Sequence, residues 1–231
     1  MTTVTGRAEA SAALPPGLVV LVPMLGRPQH VGPLLDSLDA TTPAARVLFV
    51  VSPHDTEVHA EIDRHDRERL TVPYQPSGDY ARKINAGYRH TTEPLIFCGA
   101  SDLKFHPGWY EAALAKLGPE IGVVGTNDLG NPRVTSGGHS THSIVTRWYA
   151  DLGTIDEPHA ILHEGYTHEF IDDELIGTAK SRKAWAMALD SHVEHLHPCW
   201  GKAPTDQSYQ RMHERMARSR PLYEQRRRLW T

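Results

Sequence analysis

Cysteine is nearly absent: Cys98 and Cys199 are the only two, too few for a disulfide framework and without the spacing of a thiolate metal site, so both are expected to be buried thiols. No apolar run reaches the roughly 18–20 residues needed to span a bilayer, and the opening MTTVTGRAEASAALPPG lacks the apolar core of a secretory leader. A cytoplasmic protein without a transmembrane segment is the expectation. The loop Pro23-Met24-Leu25-Gly26-Arg27-Pro28 has no GxGxxG, and no GxxxxGK followed by Ser or Thr occurs anywhere. Dinucleotide-dependent hydride transfer and P-loop hydrolysis are thereby disfavoured. The segment HEGYTH places His163 and His168 five residues apart rather than four, which excludes a zinc-protease HExxH helix.

What is present reads as an ordinary globular chain of 231 residues, with 39% hydrophobic and 23% charged residues. The formal charge of −4 is unevenly spread, because residues 211–231 carry seven Arg and two Glu. The body is therefore acidic, which argues against a general nucleic-acid binder. The basic tail permits a nucleic-acid acceptor without demanding one.

Continuous apolar runs at 18–22, 47–51 and 95–98 each stop at a turn signal, as buried parallel strands do, and a further strand is expected at 70–74. Helical spacing lies between them: Leu34, Leu35 and Leu38, then Val58 and Ile62, then Tyr80, Ile84 and Tyr88. This alternation predicts an α/β layered domain with a mainly parallel sheet flanked by helices, binding ligands beyond the carboxyl ends of its strands. The expected organisation is a loose arm at 1–16, a single domain at 17–205 and a basic C-terminal helix at 206–231. Within the domain, a division into halves at 17–110 and 111–205 is expected. The second half is expected to carry apolar pieces at 121–124 and 144–149, a helix at 170–179, strands at 184–189 and 192–196, and acceptor loops at 126–143 and 156–169.

Three places bear chemistry. Asp102 follows a buried strand, where a rigid element aims a carboxylate into a cleft. In His192-Val193-Glu194-His195-Leu196-His197, strand alternation would put His195 and His197 on one face, facing a metal. Asp172, Asp173 and Glu174 open a helix, where carboxylates serve either as caps or as a general base.

Taken in order, these pieces resemble the family 2 type of glycosyltransferase with a GT-A fold. Pro23 to Pro28 is similar to the family's first strand-loop, Ser52-Pro53-His54-Asp55 to its base-contacting acid, and Gly78 to Gly87 to its Ala-Arg-Asn-x-Gly helix. Ala100-Ser101-Asp102 falls on the Asp-x-Asp metal motif and departs from it at Ala100. The resemblance implies a metal-dependent inverting transfer of a sugar from a UDP- or GDP-sugar donor to a hydroxyl acceptor. It makes 17–110 the nucleotide-binding half and 111–205 the acceptor half. It implies a nucleotide-sugar site of Pro23, Arg27, Asp55, Arg82, Lys83, Ser101 and Asp102, and a metal held by Asp102 with His197 or, alternatively, His195. The base is expected among Asp172, Asp173 and Glu174, with Asp172 favoured. A mixed Asp/His set suits Mn²⁺ better than Mg²⁺. The alternatives are a nucleotidyltransferase that makes a nucleotide-sugar, or an inactive sugar- or nucleotide-binding module.

Overall fold

The run Leu18–Pro23 forms strand β1 and is buried along nearly its whole length. Leu18, Val20 and Val22 enter one hydrophobic core, and Val19 and Leu21 enter another on the opposite face. A strand apolar on both faces needs a layer of helix on each side. The computed structural model, which describes residues 17–231, supplies both layers. The arm expected at 1–16 lies outside the described residues.

Helix α1 (Val31–Thr41) covers the first core with Val31, Leu34, Leu35 and Leu38, and α2 (Thr56–Arg64) adds Val58 and Ile62. Helix α3 (Asp79–His90) covers the second core with Ala81, Ile84 and Tyr88. Its start demands glycine: Gly78 has φ 74°, and a Cβ there would lie 2.2 Å from the Glu164 carbonyl oxygen. Helix α4 (Trp109–Leu114) joins the first core, α5 (Pro132–Thr135) and α6 (Arg147–Leu152) flank the second half, and α7 (Ile171–Ser181) packs into the second core. The chain ends in α8 (Gln207–Gln210) and α9 (Met212–Arg226).

The strands β2 (Arg46–Val51), β3 (Glu68–Thr71), β4 (Leu95–Cys98), β5 (Leu103–Phe105), β6 (Val123–Asn127), β7 (Ser143–Thr146) and β8 (Trp185–His195) complete one sheet with β1, in the order β3-β2-β1-β4-β7-β6-β8-β5. Pairing is parallel from β3 through β4 and between β6 and β8, and antiparallel where β7 and β5 join. The mainly parallel, helix-flanked sheet is as expected. Among the described residues no helix is long and apolar enough to cross a membrane.

Three local expectations need correction. The third strand spans Glu68–Thr71 rather than 70–74; Val72 N still donates to Val51 O at 2.8 Å, and Pro73, which has no N–H for a ladder, comes next. The two strands expected at 184–189 and 192–196 are one, β8. It runs parallel to β6 as far as Ala188, shifts register opposite Thr126/Asn127, and then pairs antiparallel with β5. Its apolar pattern breaks at Asp190-Ser191-His192 because the strand changes partners there. Cys98 is buried, with its thiol pushed up to about 12 by burial, but Cys199 is exposed.

The basic C-terminal helix is docked on the domain. Tyr223 stacks on Phe170 at 4.6 Å. Arg226, only 8% exposed, donates to both Glu174 oxygens at 2.8 and 2.6 Å and to both Asp156 oxygens at 2.8 and 2.7 Å. Removing one partner of such a buried pair strands the other charge. Arg226→Ala is therefore expected to lower unfolding stability by about 3–5 kcal/mol in urea titration. Pairing it with Glu174→Gln should recover part of that loss.

Candidate active site

The carboxyl ends of β1 and β4 and the end of β8 converge on one edge of the sheet. After β1 the chain turns through Gly26 and Arg27, both left-handed at φ 64° and 63°. For arginine that conformation costs about 1–2 kcal/mol, and the loop is held in it by long-range bonds. Gly26 N donates to Asp55 Oδ2 at 2.5 Å, Met24 N donates to Val50 O at 2.9 Å, and Lys83 Nζ donates to Met24 O at 2.6 Å. Lys83 is fully buried and pairs with Asp79 at 2.7 Å. Lys83 and Asp55, both expected to touch the donor, thus brace the loop that carries Arg27. Pro23 ends β1 behind them. Arg82 pairs with Glu164 at 3.2 Å.

Asp102, 7% exposed, is the hub. Arg27 Nη1 lies 3.1 Å from its Oδ2, the Tyr209 hydroxyl donates to the same oxygen, and His195 Nε2 lies 3.5 Å from Oδ1. Burial works to raise this carboxyl's pKa. The His195 and Tyr209 hydrogen bonds and the Arg27 charge outweigh it and hold the group well below the usual carboxylate range. Arg27 Nε also donates to Asp206 Oδ2 at 2.7 Å, and its guanidinium sits 4.7 Å over the Tyr209 ring. Ser101 Oγ is 3.4 Å from His30 Nδ1.

The two expected metal-binding histidines differ in placement. His195, the last residue of β8, is the one against Asp102, and the Leu196 N to Asp102 O bond at 2.9 Å fastens that strand end. His197 lies beyond the strand, its ring 4.9 Å from that of His195, and its Nδ1 accepts the Cys199 N–H at 3.0 Å. Burial and the neighbouring His195 push its pKa down to about 4, so it is neutral at pH 7.

The three acids of α7 part company. Asp172 retains 31% side-chain exposure, and its Oδ2 lies 3.0 Å from His139 Nε2. Asp173 pairs with Arg133. Glu174 is 3% exposed, accepting from Arg226 and the Tyr166 hydroxyl inside the core. A small cavity bordered by Tyr80, Cys98, Ser140, Thr141 and Asp172 lies beside the sheet edge. Tyr80 donates to Gly99 O at 3.1 Å and packs edge-on to His168 at 5.5 Å. Tyr80 and His168 lie within electrostatic reach of both Asp102 and Asp172. His139, His30, Asp206 and Tyr209 went unnoticed in the sequence. Only the Gly/Ser/Thr/His-rich character of residues 126–143 hinted at His139.

No family model matches the chain, and no curated protein matches it. Solved structures do. The mannosyltransferase PcManGT from Pyrobaculum calidifontis, in complex with GDP-Man and Mn²⁺, superposes with a TM-score of 0.65 at 16% identity over 90% of this chain. The chain spans 62% of that protein's length. A mycobacterial protein gives a TM-score of 0.62 at 14% identity, covering 89% of this chain and 72% of its own. Glucosyl-3-phosphoglycerate synthase from Mycobacterium tuberculosis, in complex with Mn²⁺, UDP and phosphoglyceric acid, gives 0.56 at 14% identity, covering 78% and 70%. The chain has the GT-A glycosyltransferase fold.

Burial also pushes His168 down to about 4, with Arg215 adding to the effect. Between that value and the ordinary histidine pKa of about 6.5, the unfolded chain binds a proton that the native state refuses, so stability falls as pH falls through this window. The thermal midpoint should drop between pH 6.5 and pH 4, and His168→Gln should flatten that slope.

Proposed function

We propose that the chain is a metal-dependent inverting glycosyltransferase of the family 2 type, moving a sugar from a UDP- or GDP-sugar to an acceptor hydroxyl. The observation that carries this reading is the Asp102–His195 pair, buried at a strand end of a GT-A fold, with the partly exposed carboxylate of Asp172 at the start of α7 as the candidate base. Neighbours of this fold hold GDP-Man or UDP together with Mn²⁺, which supports both the donor class and the metal.

The donor set suits a divalent cation in kind: one carboxylate held ionised, with imidazole beside it. Asp102 and His195 are the residues we assign to hold it. His197, the other candidate ligand, has its Nδ1 lone pair engaged by the Cys199 amide and its ring 4.9 Å from that of His195. A bound divalent cation supplies charge stabilisation for the departing diphosphate. Arg27, on its braced loop, adds positive charge at the same edge. Asp172 takes the acceptor proton as the acceptor oxygen attacks the anomeric carbon. The nucleoside diphosphate leaves with the electron pair of the broken bond, on the opposite face, and the anomeric configuration inverts.

Incubation with UDP-glucose or GDP-mannose and Mn²⁺ is expected to release nucleoside diphosphate. Asp102→Asn and Asp172→Asn should each lower the rate at least about a hundredfold. Binding of these donors without release under any divalent metal would instead support an inactive binding module, and pyrophosphate release from NTP and sugar phosphate would support a nucleotidyltransferase. Tyr209 occupies Asp102 Oδ2 through a hydrogen bond to a charged group. Tyr209→Phe should accordingly tighten Mn²⁺ binding, read by electron paramagnetic resonance, by about tenfold or more, while Asp102→Asn should abolish it.

A further inference from the structure

The acids of α7 do not stand alone at the cleft. His139 comes from the loop between β6 and β7, is 2% exposed, and lies behind Asp172 with its Nε2 3.0 Å from Oδ2. Asp172 Oδ1 accepts the Asp173 N–H at 3.0 Å, and its side chain keeps 31% exposure. The carboxylate is thus gripped from within and open on its outer side. The loop bearing His139 is itself fixed: Ser140 Oγ donates to Thr126 O at 3.2 Å, and Thr141 Oγ1 donates to Asp128 Oδ2 at 3.0 Å. Asp128 in turn accepts the His195 N–H through its backbone carbonyl at 3.1 Å, so the loop that positions Asp172 is tied to the strand end that faces Asp102.

We infer that His139 is the positioning residue of the base, donating from Nε2 to Asp172 Oδ2 and holding the carboxylate with its free edge toward the acceptor. The inference rests on the reading of Asp172 as the base and names the residue that acts through it. It also separates the three acids, since Asp172 is held by a buried imidazole whereas Asp173 pairs with Arg133 and Glu174 with Arg226. The charged and titratable groups facing Asp172 are His139 and Arg133 from the loop and α5, Asp173 on its own helix, His168 and Glu169 from the preceding loop, and Tyr80 from α3. Burial alone would raise the Asp172 pKa, and the His139 hydrogen bond and charge are the largest opposing influences, which bring it below the ordinary aspartate value.

The test uses the full chain with Mn²⁺ and UDP-glucose or GDP-mannose, alongside a carbon-13 carboxyl NMR titration of Asp172. His139→Ala is expected to lower turnover about a hundredfold with the donor KM little changed. The acid limb of the rate profile and the Asp172 carboxyl midpoint should both move to higher pH. His139→Gln, which can still donate to Oδ2, should restore most of the turnover and the midpoint. Equal losses in the two variants with an unmoved acid limb and carboxyl midpoint would mean a structural role only and overturn the inference. An inactive Asp172→Asn beside a fully active His139→Ala would sink this inference alone, whereas a fully active Asp172→Asn would sink the base reading and this inference with it. Where neither donor is turned over, the NMR midpoint decides: unmoved in His139→Ala, it overturns the inference.

Discussion

A carboxylate cannot be removed from water at a strand end without partners that match its charge and its lone pairs. Asp102 is 7% exposed, and the arrangement of the sheet edge follows from its compensation. Arg27 reaches it from the loop after β1, His195 from the end of β8, and Tyr209 from the short helix near the C-terminus. Each partner is delivered by a segment that needs its own anchoring. The left-handed turn at Gly26-Arg27 is held by Asp55 and, through Met24, by the fully buried Lys83. The end of β8 is held by backbone bonds to Asp102 and Asp128. Residues that a motif reading assigns to ligand contact thus shape the ligand-facing loop from behind, because a strained turn holds its form only where the surroundings over-determine it.

A second polar knot does the same for α7. Successive helical residues turn by about 100°, so side chains two apart point about 200° away from each other. Arg226 draws Glu174 into the core, where Tyr166 also binds it. That choice fixes the rotation of the helix and leaves Asp172 toward the cleft, with Asp173 turned to Arg133. Three adjacent acids therefore have three environments, and the one left partly exposed is selected by an arginine 54 residues further along the chain. The basic tail, which by composition permits a nucleic-acid acceptor, carries in Arg226 part of the domain's interior.

The features legible in the sequence were those governed by local pattern. Runs such as Val47-Leu48-Phe49-Val50-Val51 are apolar on both faces and stop at turn residues, so their strand character needs no tertiary knowledge. Asp102 was legible for the same reason, since it ends such a run. Strand β8 was not, because it exchanges one partner for another midway and the residues at the exchange answer to two environments in succession. The contacts that organise the site were also hidden. His139 and Asp172 are 33 positions apart, and Tyr209 and Asp102 are 107 apart. No periodicity encodes a pairing of that span. Strand alternation also put His195 and His197 on one face, whereas the strand ends at His195 and His197 turns its Nδ1 to the Cys199 amide.

Ala100 gives the Asp102 cluster its particular balance. With a single acid at this strand end, Arg27 is the one guanidinium paired with Asp102, and its second side is shared with the more exposed Asp206. A second carboxylate at position 100 would add a further negative charge and draw a cation more strongly; the small apolar side chain there, packed against the first core, lacks that pull. On the proposed reading, the site therefore attracts a cation weakly by itself and more strongly when a diphosphate arrives to balance the added charge. Metal and donor then favour each other's binding through electrostatics alone, and by linkage each tightens the other by the same factor. The Tyr209 and Asp206 contacts act in the same sense, since they satisfy Asp102 and Arg27 when neither ligand is there and are the bonds that its arrival must replace.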